Sequence, residues 1–133
     1  MCHGKHSAIS QQYIEIDKEF RALFLEGDLH CVYEKSITEA KFVGNLSRLH
    51  WEGGKAKIVL DKNFLERIGY FCKPIFENCE LRYTGLDIAF DKDDKLWLIE
   101  ANSAPGFNYF VRDCGEELAI EWYRKSLLSI FCK

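Results

Sequence analysis

The sequence predicts an α+β fold, a mainly antiparallel sheet with two helices packed on one face. Short apolar runs rich in strand-forming residues occur in the first 36 residues and again between residues 85 and 101, and turn residues separate them. Residues 61–78 and 113–131 instead repeat their apolar residues at helical spacing. Because short turns join neighbouring strands as hairpins, we expect mainly antiparallel pairing.

The composition is that of an ordinary globular domain. The chain of 133 residues is 47% hydrophobic and 29% charged, and its net charge of −3 offers no basic surface for nucleic acid. No apolar run approaches the roughly 20 residues that span a bilayer, and the N-terminus lacks the apolar core of a signal peptide. We therefore expect one cytoplasmic domain over residues 1–133, with residues 1–8 disordered and with no nucleic-acid or membrane partner.

Three strands are predicted at the start of the chain. Residues 9–16, 19–26 and 29–35 are rich in apolar and strand-forming residues. The dipeptide Gly27-Asp28 between the last two runs is a strong hairpin signal.

A loop and two helices complete the prediction outside the central hairpin. Residues 42–57 contain glycine, asparagine and serine at spacings that favour a loop. Residues 61–78 form the first helix, with Asp61 as its N-cap and Pro74 as a point where the helix kinks or ends early. Residues 111–133 form the C-terminal helix, and both helices pack on the same core.

The most informative part of the sequence is a hairpin whose strands carry an aspartate, a glutamate and an asparagine. Side chains alternate along a strand, so Glu100 and Asn102 share a face. A four-residue turn would place Asp91 opposite Leu96 and Asp87 opposite Glu100. Opposed like charges are destabilising, and two carboxylates with an amide oxygen suit Mg²⁺. A hairpin whose polar side simply faces water explains the same residues.

Two segments of this hairpin, DIAF and LIEANSAPG, resemble the metal-binding end of the ATP-grasp superfamily. The resemblance implies that Asp87, Glu100 and Asn102 hold the Mg²⁺ ions of Mg-ATP, with Mn²⁺ as a substitute. The order of the three residues, their spacing and the following Pro-Gly turn all match the family pattern.

The earlier segment QQYIEIDKEFRALFLEGD resembles the part of ATP-grasp ligases that runs from the adenine-binding hinge into the central sheet. The resemblance implies that the backbone near Gln12, Tyr13 and Ile14 binds adenine. It also implies that Glu19 contacts the nucleotide and that Arg21 is the catalytic residue, serving the phosphates or the acyl group. The pattern is most similar to the ribosomal-protein glutamate ligase branch and the spore-coat-associated, YheC/YheD-like branch.

A third segment resembles a short Asn-Leu-x-x-Gly-Gly sequence that lies near the phosphates in these relatives. Asn45-Leu46-Ser47-Arg48 matches its start, which implies that Asn45 binds the nucleotide. The glutamate ligases carry an arginine two residues before this asparagine, where the present chain has Val43. Arg48 is the nearby guanidinium, and no role is assigned to it.

The resemblance covers residues 9–110 and corresponds to the C-terminal half of an ATP-grasp unit. It implies the C-terminal part of an ATP-dependent ligase that joins a small-molecule or peptide carboxylate to an amine, forming an amide or peptide bond through an acyl phosphate. Residues 1–8 are too short for the upstream subdomain that covers ATP, so we expect that subdomain to be a missing partner. Self-association through exposed apolar surface near Tyr13, Phe42 and Phe107 is also expected.

Whether the chain is an enzyme stays open at this point. One alternative is a non-catalytic nucleotide-binding, metal-binding or structural module derived from an ATP-grasp ligase. Another is an unrelated α/β protein whose strand acids bind Mg²⁺ or Ca²⁺ without nucleotide, or bind nothing.

Overall fold

A five-stranded antiparallel sheet with helices on both faces forms the fold. The computed structural model describes residues 12–44 and 47–132. The strand order is β3-β2-β1-β4-β5, and every pair of neighbours is antiparallel. The strands are β1 Ile16–Leu25, β2 Asp28–Ser36, β3 Lys55–Ile58, β4 Tyr83–Asp91 and β5 Leu96–Asn102. The helices are α1 Lys62–Asn78, α2 Asn108–Cys114 and α3 Glu117–Phe131, and Arg48–His50 is a short 3₁₀ helix. The predicted α+β class and antiparallel sheet are confirmed.

The strand prediction is correct for the β1–β2 hairpin and wrong at two other places. Residues 12–15, part of the first predicted strand, are irregular, and residues 9–11 lie outside the described part of the chain. β3 was predicted as loop. It is a four-residue edge strand in which only Ala56 is buried, so it has little of the apolar alternation that identifies a strand.

The first core lies between the sheet and α1. Alternate residues of β1, Phe20, Ala22 and Phe24, pack there with Ile68 and Cys72 of α1. The predicted N-cap is confirmed, since the Asp61 carboxylate accepts a hydrogen bond from the Phe64 amide at 2.7 Å. The helix does not end at Pro74 but continues to Asn78.

The second core lies on the opposite face of the sheet, under α2 and α3. Phe107, Phe110, Ala119 and Trp122 from this C-terminal region pack against Leu23, Cys31 and Tyr33 of the sheet. The prediction that both helices cover one face is therefore wrong. An amphipathic pattern shows which side of a helix is buried, but it does not say which face of the sheet the helix covers.

The C-terminal region is two helices rather than one. Gly115 separates α2 from α3 and has φ +84°, a conformation that glycine adopts readily. Asp113, predicted near the start of a single helix, instead accepts a hydrogen bond from the Ala56 amide at 2.7 Å. This bond attaches α2 to β3.

The expected apolar surface is only partly present. Tyr13 and Phe42 are exposed, as predicted, but Phe107 is buried in the second core. In the ranges 12–44 and 47–132, no helix is long and apolar enough to cross a membrane.

Candidate functional site

The β4–β5 hairpin brings the predicted aspartate and glutamate together. Asp87 pairs directly with Glu100, as the sequence predicted. The turn itself differs, because Leu96 pairs with Phe90 rather than with Asp91. The Asp91 carboxylate instead accepts hydrogen bonds from turn amides and from the Trp97 indole, which closes the turn more tightly.

A β-bulge compensates for this difference. The register shifts between the pairs Asp87–Glu100 and Ile88–Leu98, so Ile99 is the extra residue. Without the bulge, the tighter turn would place Asp87 opposite Ile99. The bulge returns Glu100 to the position opposite Asp87 and to the same face of the sheet.

A buried ion network is centred on Asp87, which is 4% exposed. Arg21, its cross-strand partner on β1, donates from Nε to Asp87 Oδ1 at 2.6 Å and from Nη2 to Oδ2 at 2.7 Å. Lys35 of β2 donates to Asp87 Oδ2 at 2.6 Å and to Glu19 Oε1 at 2.5 Å. Two cations and two carboxylates thus neutralise one another, as buried charges require.

The network controls the ionisation of its members. Burial opposes ionisation of Asp87, but the hydrogen bonds and charges of Arg21 and Lys35 outweigh it and lower the pKa of that carboxyl. Burial likewise disfavours the charged form of Arg21, yet Asp87 raises the guanidinium pKa. Burial raises the pKa of Tyr33, the cross-strand neighbour of Arg21, to about 12. Asp87 and Arg21 are therefore ionised, and Tyr33 is neutral, at physiological pH.

The open side of the network carries the other two predicted metal ligands. The Glu100 side chain is 55% exposed, and its Oε1 lies 3.9 Å from Arg21 Nη2. Asn102 Nδ2 donates to the same Glu100 oxygen at 2.7 Å. Glu100 and Asn102 are thus held together, with oxygen atoms at the surface above the buried ion pairs.

The side-chain oxygens of Glu100 and Asn102 suit a cation that is shared with a ligand rather than a cation enclosed by protein. The parts of the chain with described positions contain no group of three His, Cys, Asp or Glu residues able to hold a metal. Mg²⁺ does not need such a group, because it commonly uses one or two carboxylates together with substrate phosphates. Glu100 and Asn102 present suitable oxygens, whereas both oxygens of Asp87 already accept hydrogen bonds from cations.

The structure describes four of the five residues that were predicted to bind the nucleotide. Gln12 and Tyr13 are exposed, and Ile14 is half-buried, in the irregular segment before β1. Glu19 is buried in the ion network. Asn45 lies outside the described residues.

The structure gives Arg48 a role that the sequence did not indicate. Its guanidinium donates to the backbone oxygens of Ile16 and Asp17, both at 2.9 Å, and its Nε lies 3.7 Å from Glu19 Oε2. Arg48 therefore attaches the 3₁₀ helix to the start of β1, beside the buried network.

Sequence reasoning missed Lys35, because its position depends on a second bulge. Near the turn, Phe24 pairs with Leu29, and continuing that register would place Arg21 opposite Val32. A bulge between Leu23 and Phe24 shifts the register by one residue, so Arg21 pairs with Tyr33 instead. A one-residue shift reverses the face of every later side chain, and it brings Lys35 into the network.

A pocket of about 310 Å³ opens beside the network. Arg21 and Lys35 lie on its β1 and β2 side, and His50 and Tyr109 lie on its other side. The Tyr109 hydroxyl and His50 Nδ1 are 2.9 Å apart. No part of the sequence pattern linked these two residues, because they come from the 3₁₀ helix and from α2.

Comparison with known proteins identifies a similar family and similar folds. The family model described as "YheC/D like ATP-grasp" matches residues 55–129. The ATP-grasp ligase PsnB, in complex with a minimal precursor, aligns with a TM-score of 0.56 and 15% identity over 88% of this chain. A Chryseobacterium gregarium RiPP-associated ATP-grasp ligase, bound to ADP and a leader and core peptide, aligns with a TM-score of 0.56 and 18% identity over 87% of this chain.

A third solved structure, the macrocyclase MdnB from Microcystis aeruginosa, aligns with a TM-score of 0.50 and 17% identity over 90% of this chain. The alignments cover 36% of the PsnB chain, 34% of the Chryseobacterium chain and 40% of the MdnB chain. The present chain thus spans between a third and two fifths of these ligases. No curated protein sequence matches it.

Proposed function

Because the chain belongs to the YheC/D-like ATP-grasp family, we propose that it is the C-terminal part of an ATP-dependent ligase that joins a carboxylate to an amine. The observation that carries this proposal is the arrangement of the β4–β5 face. A buried, neutral ion network supports two oxygen-bearing side chains, the exposed Glu100 and the half-buried Asn102. Oxygen atoms held on a rigid support suit a metal ion that is shared with a negatively charged ligand.

Mg-ATP is the proposed ligand of this face. Glu100 and Asn102 would hold Mg²⁺ together with the phosphates, with Asp87 behind them, and Mn²⁺ could substitute. A bound Mg²⁺ neutralises charge on the β- and γ-phosphates. The segment of Gln12, Tyr13 and Ile14 is assigned to adenine. Glu19 and Asn45 are assigned to the rest of the nucleotide by their place in the family pattern.

Arg21 is the proposed catalytic residue. Its Nε and one Nη2 hydrogen are directed to Asp87, it also shares a hydrogen bond with Tyr33, and its guanidinium lines the pocket. A substrate carboxylate would attack the γ-phosphate to form an acyl phosphate, and an amine would then displace phosphate. Arg21 stabilises negative charge on the acyl phosphate, and Lys35 adds a second positive charge close to it.

A peptide is the proposed substrate class. The solved relatives include ligases bound to a minimal precursor and to a leader and core peptide. Their similarity to this chain is at the level of the fold, so the peptide carboxylate and amine are inferences about the present protein. Small-molecule substrates would use the same chemistry.

One observation favours the alternative of a non-catalytic nucleotide-binding module. Both oxygens of Asp87 accept hydrogen bonds from Arg21 or Lys35, which leaves fewer protein ligands for metal than the family pattern provides. Such a module would bind Mg-ATP without transferring its phosphate. Binding and turnover therefore have to be measured separately.

Calorimetric titration of the chain with a non-hydrolysable ATP analogue, with and without Mg²⁺, tests the binding part of the proposal. We expect Mg²⁺-dependent binding that weakens at least about tenfold in a Glu100→Gln, Asn102→Ala double variant. Glu77→Gln is the matched control, because Glu77 is an exposed carboxylate on α1, 3.7 Å from Lys73. Equal binding by the double variant would contradict the assignment of the site.

Turnover separates the ligase from the module. With ATP, Mg²⁺, a glutamate-containing peptide and hydroxylamine, a ligase forms a peptide hydroxamate from its acyl phosphate. If the chain binds the ATP analogue but forms no hydroxamate, even when the upstream ATP-grasp subdomain is added, it is a non-catalytic nucleotide-binding module.

A further inference from the structure

The pocket beside the ion network has a property that the proposed phosphate chemistry does not use. One side of it carries Arg21 and Lys35, each paired with a buried carboxylate, and the other side carries an imidazole. The lining residues that matter are Arg21, Lys35, Ser47, His50, Asn108 and Tyr109. The pocket thus places an imidazole, which can accept a proton, in the same cavity as the group assigned to the acyl phosphate.

His50 is held in this pocket by a built arrangement. Its Nδ1 is 2.9 Å from the Tyr109 hydroxyl, and the two rings are in edge contact with centroids 4.8 Å apart. The Arg112 guanidinium lies 5.0 Å from the Tyr109 ring centroid and donates to the backbone oxygen of Gly54 at 2.7 Å. Tyr109 is therefore fixed from both sides, and it orients the imidazole.

The other imidazole nitrogen is open. Within residues 12–44 and 47–132, Nε2 of His50 makes no hydrogen bond, and the residue is exposed at the pocket rim. A proton can be taken up at Nε2 only in the tautomer that has a lone pair there, and in that tautomer Nδ1–H donates to the Tyr109 oxygen.

Amide formation creates a need for such a group. An amine in water is mostly protonated at neutral pH. An ammonium has no lone pair with which to attack an acyl phosphate in this pocket. The proton must leave the nitrogen before or during attack on the carbonyl carbon.

We propose that His50 is the proton acceptor for the attacking amine and that Tyr109 is its positioning residue. This inference rests on the proposed ligase function. The amine nitrogen forms a bond to the carbonyl carbon, and the bond from that carbon to the phosphate oxygen breaks. Phosphate leaves with the electron pair, and the amine proton goes to His50 Nε2. The charged or titratable groups that line the pocket with the imidazole are Tyr109 from α2, Arg21 from β1, and Tyr33 and Lys35 from β2.

The second half of the reaction can be measured without ATP. Acetyl phosphate serves as the acyl phosphate and glycinamide as the amine, with Mg²⁺ present, and phosphate release is followed. We expect the chain to accelerate the amine-dependent release, and His50→Gln to reduce that acceleration about 100-fold.

Three controls separate a base from a structural residue. Hydroxylamine is a less basic and more reactive nucleophile than glycinamide and depends less on a proton acceptor, so His50→Gln should lower the hydroxylamine rate much less than the glycinamide rate. Tyr109→Phe removes the hydroxyl but keeps the ring, and it too should lower the glycinamide rate more than the hydroxylamine rate. Glu77→Gln should match the parent chain.

The tautomer gives a readout that does not depend on turnover. The ¹⁵N shifts of the His50 ring, assigned by comparison with His50→Gln, should show a protonated Nδ1 and a bare Nε2 in the neutral form. A protonated Nε2 would overturn the proposal, as would an unchanged glycinamide rate in His50→Gln or an equal loss with both nucleophiles.

A parent chain that accelerates neither reaction also overturns the inference. The proposed nucleotide site can still pass its own test in that case, because Mg²⁺-dependent binding of the ATP analogue is measured separately. The two failures are therefore distinguishable.

Discussion

At the scale of the residue, Asp87 holds the candidate site together. Its carboxylate accepts two hydrogen bonds from Arg21 and one from Lys35, at 2.6 to 2.7 Å, while almost entirely buried. Hydrogen bonds between ionised partners are stronger than neutral ones, and a buried charge that loses its partner is costly. The same carboxylate that would support metal binding is thus needed for stability.

We predict that Asp87→Asn destabilises the fold by about 3–5 kcal/mol, because it leaves Arg21 and Lys35 without their shared counter-charge. Urea unfolding followed by tryptophan fluorescence measures the change. Glu15→Gln is the control: Glu15 pairs with Lys92 at 2.5 Å on the surface, where both side chains are mostly exposed. It should leave the midpoint unchanged. An Asp87→Asn variant as stable as the parent would show that the network is not a buried ionic unit.

At the scale of the element, the β4–β5 hairpin and the turn after it set the position of the site. Gly85 pairs with Asn102, and a Cβ at Gly85 would lie 2.8 Å from Pro105 Cβ. The turn containing Pro105 therefore rests directly on the β4 backbone. This contact sets where β5 ends and where Asn102 lies.

Gly85→Ala should destabilise the protein by about 1–3 kcal/mol, since the proline and the strand must separate. It should also weaken Mg²⁺-dependent nucleotide binding by displacing Asn102. Gly69→Ala, in α1, is the matched substitution, because its Cβ would meet no atom within 4 Å. It should stabilise by about 0.5–1 kcal/mol. Thermal unfolding and calorimetry of both variants test the pair, and equal effects would contradict the tight contact at Gly85.

At the scale of the whole molecule, the sheet separates two apolar cores, and the ion network lies beside the second one. Breaking the network by protonation should therefore affect the entire fold. The pKa of Asp87 is lowered from its ordinary value of 3.8, because Arg21 and Lys35 outweigh the effect of burial. A depressed carboxyl pKa contributes stability above the ordinary value, and that contribution is lost as pH falls through the folded-state pKa.

We expect the free energy of unfolding to stay near its plateau above about pH 5 and to fall below about pH 4. The decline should be shallower in Asp87→Asn, which has no carboxyl to protonate at that position. Urea midpoints from pH 7 to pH 2.5 measure both curves. Parallel curves for the two proteins would mean that other carboxyls cause the acid sensitivity.

The sequence by itself determined the local elements and the main polar face. The apolar stripe and N-cap of α1 and the strands flanking Gly27-Asp28 follow from patterns within short segments. The predicted pairing of Asp87 with Glu100 is also observed, but it is reached through a bulge at Ile99 that the sequence did not indicate. Strand alternation correctly placed Glu100 and Asn102 together, where they are joined by a hydrogen bond. These features depend on neighbours in the chain, and local sequence records them.

Only the tertiary structure decided which side chains complete the site. Two β-bulges reset the registers of β1 with β2 and of β4 with β5, and each shift by one residue reverses the face of the side chains beyond it. Lys35 enters the network by that route. α2 and α3 pack on the second face of the sheet, and this packing brings Tyr109 to His50. Contacts between distant segments depend on the closure of the whole core, and no local pattern specifies them.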